Sequence, residues 1–228
     1  MTPRAIIFDL DGTLIDSAAH CATIINQMLA DRQSERRLTR GEASAHMSRG
    51  GAELITGLLG GEGADPAADL AEFRARYAFH ETPADCLFPA VRPGLAALAE
   101  AGFSLGICSN KPQHLCEKIV VELGLIGVFG SIVGTIERRP HKPDRAMLDA
   151  SLRGLNVADG DALFVGDSWV DAALCKTAAI PFWLVTYGYP GVASLTDFDR
   201  SFDHFGEVVD ALLGDPAAAR TIRPRAAA

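Results

Sequence analysis

Ala5-Ile6-Ile7-Phe8-Asp9-Leu10-Asp11-Gly12-Thr13-Leu14 runs from four apolar residues into two aspartates separated by one leucine, then a glycine. A continuous apolar run this short predicts a strand buried on both faces, as in a parallel sheet. Gly12 marks a turn at its carboxyl end. Taken alone, the acidic turn is equally consistent with a plain strand cap. The alternative is chemical: one carboxylate attacks phosphorus while its neighbour moves the proton.

The remainder of the chain supplies the sheet. Residues 92–101 read as a helix, with Pro93 near its start and Gly102 after its end. Residues 103–108 form a short apolar run suited to a buried strand. Residues 113–123 place Leu115, Ile119 and Leu123 at four-residue spacing, a helical period. A strand over 132–136, a helix over 144–155 with Asp144 as its cap, and a strand over 162–165 follow. A helix over 170–178 and a strand over 182–185 complete the series. Repeated strand–helix units predict an α/β fold, a doubly wound, Rossmann-like parallel sheet with helices on both faces. In such sheets ligands bind beyond the carboxyl ends of the strands.

Residues 17–88 differ. They are rich in Ala, Glu and Arg, contain no clear strand, and carry helical stretches over 20–32 and 67–80. Gly50-Gly51 and Gly60-Gly61 read as breaks between helices. The expected organisation is a core from residues 1–16 and 89–214 with an inserted α-helical cap over 17–88. Residues 215–228 lack periodicity and are expected to form a flexible tail.

The 228-residue chain is 48% hydrophobic, enough for a substantial core, and carries a net charge of −8. Its pI near 5.2 argues against a nucleic-acid surface. The first apolar run is too short for a secretory signal and no apolar stretch suits a membrane span, so a cytoplasmic protein is expected. The five cysteines show no CxxC and no zinc-like spacing, and they read as small core residues. Lysines are scarce: Lys111, Lys118, Lys142 and Lys176 are the only four. An acidic chain that handles phosphate needs a few well-placed cations and a divalent metal.

Three further strand ends matter. Ser109-Asn110-Lys111 follows the strand at 103–108, where a hydroxyl and backbone N–H groups can hold phosphoryl oxygens. His141-Lys142-Pro143-Asp144 precedes the helix at 144–155, and Lys142 can neutralise a carboxylate and a transferring phosphoryl group. His141 reads as a surface residue. Gly166-Asp167-Ser168-Trp169-Val170-Asp171 offers two acids four apart at a strand-to-helix turn, suited to a hard cation such as Mg²⁺.

The ordered set of DLDGTL at 9–14, SN at 109–110, Lys142 and GDxxxD at 166–171 resembles the haloacid dehalogenase superfamily of phosphotransferases. The resemblance covers nearly the whole chain. It implies Asp9 as the nucleophile that forms an aspartyl-phosphate, and Asp11 as general acid and then base. It implies Mg²⁺ held by the Asp9 carboxylate, the Asp11 backbone carbonyl and the Asp167 carboxylate, supported by Asp171. Ser109 and the Asn110 backbone would hold phosphoryl oxygens, and Lys142 would balance charge.

Within the superfamily, Asp11 separates the chain from the dehalogenases, which lack that second aspartate. The absence of lysine from residues 17–88 excludes a Schiff-base lysine from the cap, as phosphonoacetaldehyde hydrolases use. Thr13 and the lysine-free cap also differ from the β-phosphoglucomutase branch. DLDGTLIDS at 9–17, CSNKP at 108–112, VGDS at 165–168 and TYGY at 186–189 look like the phosphoglycolate phosphatase group. Two departures are HKPDR at the Lys142 linker and Pro190-Gly191 after Tyr189.

The expected activity is Mg²⁺-dependent hydrolysis of a small phosphorylated metabolite, with 2-phosphoglycolate foremost. A sugar-phosphate phosphatase, a phosphosugar mutase and a metabolite-sensing binding module are the alternatives. Arg49, beside Gly50-Gly51, is the expected cap contact to a substrate carboxylate or hydroxyl. No nucleic-acid or membrane partner is expected, and monomer or homodimer is left open.

Overall fold

The computed structural model describes residues 3–189 and 195–214. Six strands form one sheet: β1 (Ala5–Phe8), β2 (Ser104–Pro112), β3 (Ser131–Thr135), β4 (Ala162–Gly166), β5 (Phe182–Val185) and β6 (Arg200–Phe202). Their order is β3-β2-β1-β4-β5-β6, and every neighbouring pair is parallel. The chain builds outward from β1 on one side, then crosses to β4 and builds outward on the other. The strand order therefore reverses beside β1, where doubly wound sheets open a crevice at the strands' carboxyl ends.

Each central strand sends alternate residues to opposite layers, which explains its unbroken apolar sequence. Ile6 and Phe8 join one buried cluster while Ile7 joins the other, and Leu163 and Val165 alternate with Phe164 in the same way. Helices α5 (Val91–Glu100) and α6 (Gln113–Glu122) cover the first face, and α7 (Ala146–Leu155) and α8 (Trp169–Ala178) cover the second.

Four helices lie between β1 and α5: α1 (Ala18–Asp31), α2 (Arg40–Ser44), α3 (Gly51–Leu59) and α4 (Pro66–Phe79). Their ends follow local rules. Thr39 and Glu42 form a capping box on α2, and Asp65 caps α4 with Pro66 in its first turn. Gly50 precedes α3, and Gly60 starts a 3₁₀ turn after it, so both glycine pairs sit at helix ends as the sequence predicts. The chain leaves and rejoins the sheet side by side: Asp16 N–H donates to the Cys86 carbonyl at 2.7 Å, and Phe88 N–H to the Leu14 carbonyl at 3.1 Å. The first apolar cluster continues from Phe8 and Ile107 through Ile24 and Ile55 to Phe73 and Tyr77, joining sheet and insertion.

Three details differ from the sequence expectation. β2 continues to Pro112 because its pairing with β3 shifts register between Cys108 and Pro112, so Ser109 and Asn110 lie in the strand's irregular end. Asp144 stands two residues ahead of α7 and accepts from Ala146 N–H at 2.8 Å, an Asx turn leading into the helix. The structure also adds β6 and a final helix, α9 (Phe205–Leu213), beyond the last predicted strand. Residues 215–228 and Pro190-Gly191 lie outside the described residues. No helix among the described residues is long and apolar enough to cross a membrane.

Candidate active site

Asp9 is the first residue past β1, and the turn behind it is built around a glycine. Gly12 has φ +82, and a Cβ there would lie 2.0 Å from Asp167 Oδ2. Only glycine allows both that backbone and the approach of Asp167 from the end of β4. Asp9, Asp167 and Asp171 thus converge, each buried, with one carboxylate oxygen apiece inside a 4.8 Å cluster.

Lys142 is the cation within this group. Its Nζ lies 3.0 Å from Asp9 Oδ1 and 2.7 Å from Asp171 Oδ1, and it is almost completely buried. The Asn110 side chain holds it there: Asn110 Nδ2 donates to the Lys142 carbonyl at 3.0 Å, and Lys142 N–H donates to Asn110 Oδ1 at 2.8 Å. The second Asp171 oxygen accepts from Ser168 Oγ–H at 2.5 Å and Ser168 N–H at 3.2 Å, part of the capping box that starts α8. Both Asp171 oxygens are therefore occupied by protein groups. No hydrogen bond among the described residues reaches Asp9 Oδ2 or Asp167 Oδ1.

Electrostatics follow from this crowding. Burial pushes the Asp9 carboxyl up to about 6, opposed by Lys142 and reinforced by Asp171. Burial, with Asp9 and Asp171 nearby, holds Asp167 well above the usual carboxylate range, against the N–H of Tyr189 at 2.9 Å. Burial works against the Lys142 charge, but Asp171 and Asp9 outweigh it and keep the ammonium protonated. One lysine does not balance three buried carboxylates. An all-oxygen donor set with surplus negative charge fits a hard dication such as Mg²⁺, with Asp9 and Asp167 offering the free oxygens.

A cation on these carboxylates competes with their protons, so its affinity depends on pH. Without a cation, the raised Asp9 pKa stabilises the fold below the unfolded value of 3.8, a contribution lost as pH rises through about 6. The Mg²⁺-induced rise in melting temperature is therefore expected to grow between pH 5 and 7.5. A rise of equal size across that range would contradict the assignment.

Asp11 faces a different partner. Its carboxylate is clamped by Lys111 Nζ at 2.9 and 3.0 Å and accepts from Ser17 Oγ–H at 2.5 Å. Lys111 in turn lies 4.6 Å from the ring centre of Tyr77 on α4, a cation–π contact between sheet and insertion. Tyr187 Oη–H donates to the Thr13 carbonyl at 2.8 Å, and Ser17 N–H donates to Tyr189 Oη at 2.8 Å, bracing the turn after β1. The first-motif turn is thus held by β2 and by the loop after β5.

These groups share one cavity of about 550 Å³ between the strand ends and the insertion. Asp9, Asp11, Ser109, Asn110, Lys142 and Asp167 all line it, so every core residue singled out in the sequence is there except Asp171, which supports it from beneath. Arg49 reaches its wall, and His141 sits exposed at its rim. Lys111, Tyr77, Arg74 and Trp169 also line it and were not singled out. Lys111 had a signal: it is one of four lysines and adjoins Ser109-Asn110. The five cysteines are free and buried, and burial pushes Cys108 up to about 12, as expected of core thiols.

Comparison with known proteins shows the family. The model for haloacid dehalogenase-like hydrolases matches residues 3–179. A phosphoglycolate phosphatase from Rhodospirillum rubrum is 36% identical over 220 residues, 91% of this chain and 90% of that protein. One from Cupriavidus necator is 35% identical over 191 residues, 82% of each chain. The crystal structure of a predicted phosphoglycolate phosphatase from Haemophilus somnus superposes with TM-score 0.78 at 25% identity, covering 92% of this chain and 98% of that one. That of CbbY from Rhodobacter sphaeroides, in complex with phosphate, does so with TM-score 0.70 at 23% identity, covering 96% and 99%. The chain belongs to the haloacid dehalogenase-like hydrolases, as an enzyme of the phosphoglycolate phosphatase-like type.

Proposed function

We propose that the protein is a Mg²⁺-dependent phosphomonoesterase for a small phosphorylated metabolite, 2-phosphoglycolate foremost, working through an aspartyl-phosphate on Asp9. The observation that carries this reading is the Asp9 carboxylate, 3.0 Å from Lys142 Nζ and clustered with Asp167 on the floor of a cavity. An Asp9 oxygen attacks phosphorus in line as the bond to the leaving alcohol breaks, and Asp11 gives that alcohol its proton. Water then attacks the phosphorus, Asp11 takes its proton, and the bond to Asp9 breaks to release phosphate. Lys142, Ser109 and the Asn110 backbone hold the equatorial oxygens, where charge cancellation and positioning supply most of the catalysis. Asp9, Asp167 and the Asp11 carbonyl would hold Mg²⁺, which when bound supplies further charge neutralisation.

Residues 17–88 act in this reading as the cap over a core of 1–16 and 89–214, closing the leaving group away from water. A sugar-phosphate phosphatase or mutase is the second reading. The cavity volume of about 550 Å³ favours it, exceeding what a two-carbon phosphate ester fills.

Phosphate release from 2-phosphoglycolate and a series of sugar phosphates tests both. Release that stops with EDTA and returns with Mg²⁺ is expected, with 2-phosphoglycolate ranked first. Isomerised product without free phosphate would identify a mutase instead.

A further inference from the structure

The insertion carries seven arginines, and the structure accounts for five of them. Arg32 pairs with Asp69 and Glu72 at 2.7 and 2.9 Å, and Arg76 with Asp31 and Glu72, both at 2.6 Å. Arg40 pairs with Asp16. Arg36 donates to the Leu58 carbonyl at 2.7 Å, and Arg37 to the Ser34 and Arg36 carbonyls at 2.8 and 2.7 Å. The guanidinium groups of Arg49 and Arg74 have no carboxylate or hydrogen-bond partner among the described residues, and both residues line the cavity that holds Asp9.

Arg74 is the more deeply set. Leu70, Phe73, Arg74 and Tyr77 occur at helical spacing on α4, and all four line the cavity, so the guanidinium stands in an otherwise apolar stripe. It is half-buried, and burial alone pushes its pKa below the ordinary arginine value. Gly51 leaves it room: a Cβ there would lie 3.3 Å from Arg74 Nη2. Glu53, the acid of the same wall, is exposed and forms no ion pair with either arginine. A partly desolvated cation without a counterion, facing a substrate cavity, is stabilised when an anion arrives. The acids gather at the floor by the strand ends, and the unpaired arginines lie on the insertion's wall.

We propose that Arg74 is the specificity-determining residue of the cavity, pairing with a negatively charged group on the leaving half of the substrate, a carboxylate or a second phosphate. Arg49, exposed on the same wall, is its outer partner. The inference rests on the phosphomonoesterase reading and extends it to a substrate charged at both ends.

The test compares kcat/KM for 2-phosphoglycolate, its neutral carboxamide and the bisphosphate of propane-1,3-diol. The Mg²⁺-loaded wild type, Arg74→Gln and Arg74→Lys are each measured. The wild type is expected to prefer a charged ester to the amide, and whichever charged ester ranks higher identifies carboxylate or phosphate. Arg74→Gln is expected to reduce the charged-to-amide ratio by at least about tenfold, and Arg74→Lys to retain part of it. A general loss from misfolding cancels in this ratio. An unchanged ratio in Arg74→Gln, or a wild type with no preference for charge, would overturn the inference while leaving the phosphatase reading intact. Hydrolysis of none of the three by folded wild type would remove both.

Discussion

Replacing Asp9 by asparagine is expected to lower kcat for phosphate release by at least about 10⁴-fold, since loss of a covalent nucleophile costs on that order or more. The amide keeps the size of the carboxylate but neither attacks phosphorus well nor supplies a charged oxygen to a cation. The fold should survive. Asp9 is one of three buried carboxylates within 4.8 Å, so neutralising it relieves repulsion, and Lys142 keeps its 2.7 Å contact with Asp171. Asp9→Asn without Mg²⁺ should therefore melt no lower than the wild type. Retention of wild-type kcat by this variant would remove the aspartyl-phosphate mechanism, whatever substrate the enzyme prefers.

Lys142→Met is expected to be the most destabilising of the site variants in the absence of a divalent cation. The lysine contacts Asp9 and Asp171 from a nearly fully buried position, and methionine preserves most of its volume without the charge. Removing one member of a buried ion group costs about 3–5 kcal/mol, because its partners are left charged and desolvated. For a chain of this size that corresponds to a fall of about 6–20 °C in Tm. Part of the loss should appear as carboxylate protonation, so the deficit should shrink at low pH. Added Mg²⁺ should stabilise the variant more than the wild type, since the dication then faces a larger surplus of negative charge. Loss of a preorganised positive group at the phosphoryl oxygens should also lower kcat by about 10²–10³-fold. A Lys142→Met protein with wild-type Tm in EDTA would show that the lysine does not carry the balance assigned to it.

Much of the site was legible because its residues stand at strand ends. A parallel strand buried on both faces must be apolar throughout, so the first polar residues after Phe8 and Val165 mark where the sheet meets solvent. Asp9 and Asp167 are those residues, or adjoin them, and the parallel register of β1 with β4 then brings them together. The helices of the insertion were legible at α1 and α4, where apolar spacing is regular, and at the glycine breaks around α3. The last helix was within reach: Phe205, Val208, Val209 and Leu212 have helical spacing and are buried against the sheet. β6 was not, because a three-residue edge strand leaves almost no pattern.

Contacts between distant segments were beyond sequence reading. Lys111 clamps Asp11 across 100 residues of chain, and nothing in either motif specifies the other as its partner. Asn110 was expected to serve phosphate through its backbone, and the fold adds a second task, its side chain bracketing the Lys142 backbone. The arginines show the same limit. Seven residues of one type in one segment are chemically equivalent on paper, and Arg49 stood out only through its neighbouring glycines. Which of them face a cavity, and which are paired elsewhere, depends on where α1, α3 and α4 pack.

The sequence by itself determined five of the six strands and the acidic and basic residues that follow them, because burial periodicity and turn chemistry act over a few neighbouring residues. Tertiary structure alone decided the partners: Lys111 for Asp11, Asn110 for Lys142, Tyr77 against Lys111, and Arg74 left unpaired in the cavity wall. Those assignments depend on distances between segments far apart in the chain, which only the packed fold sets.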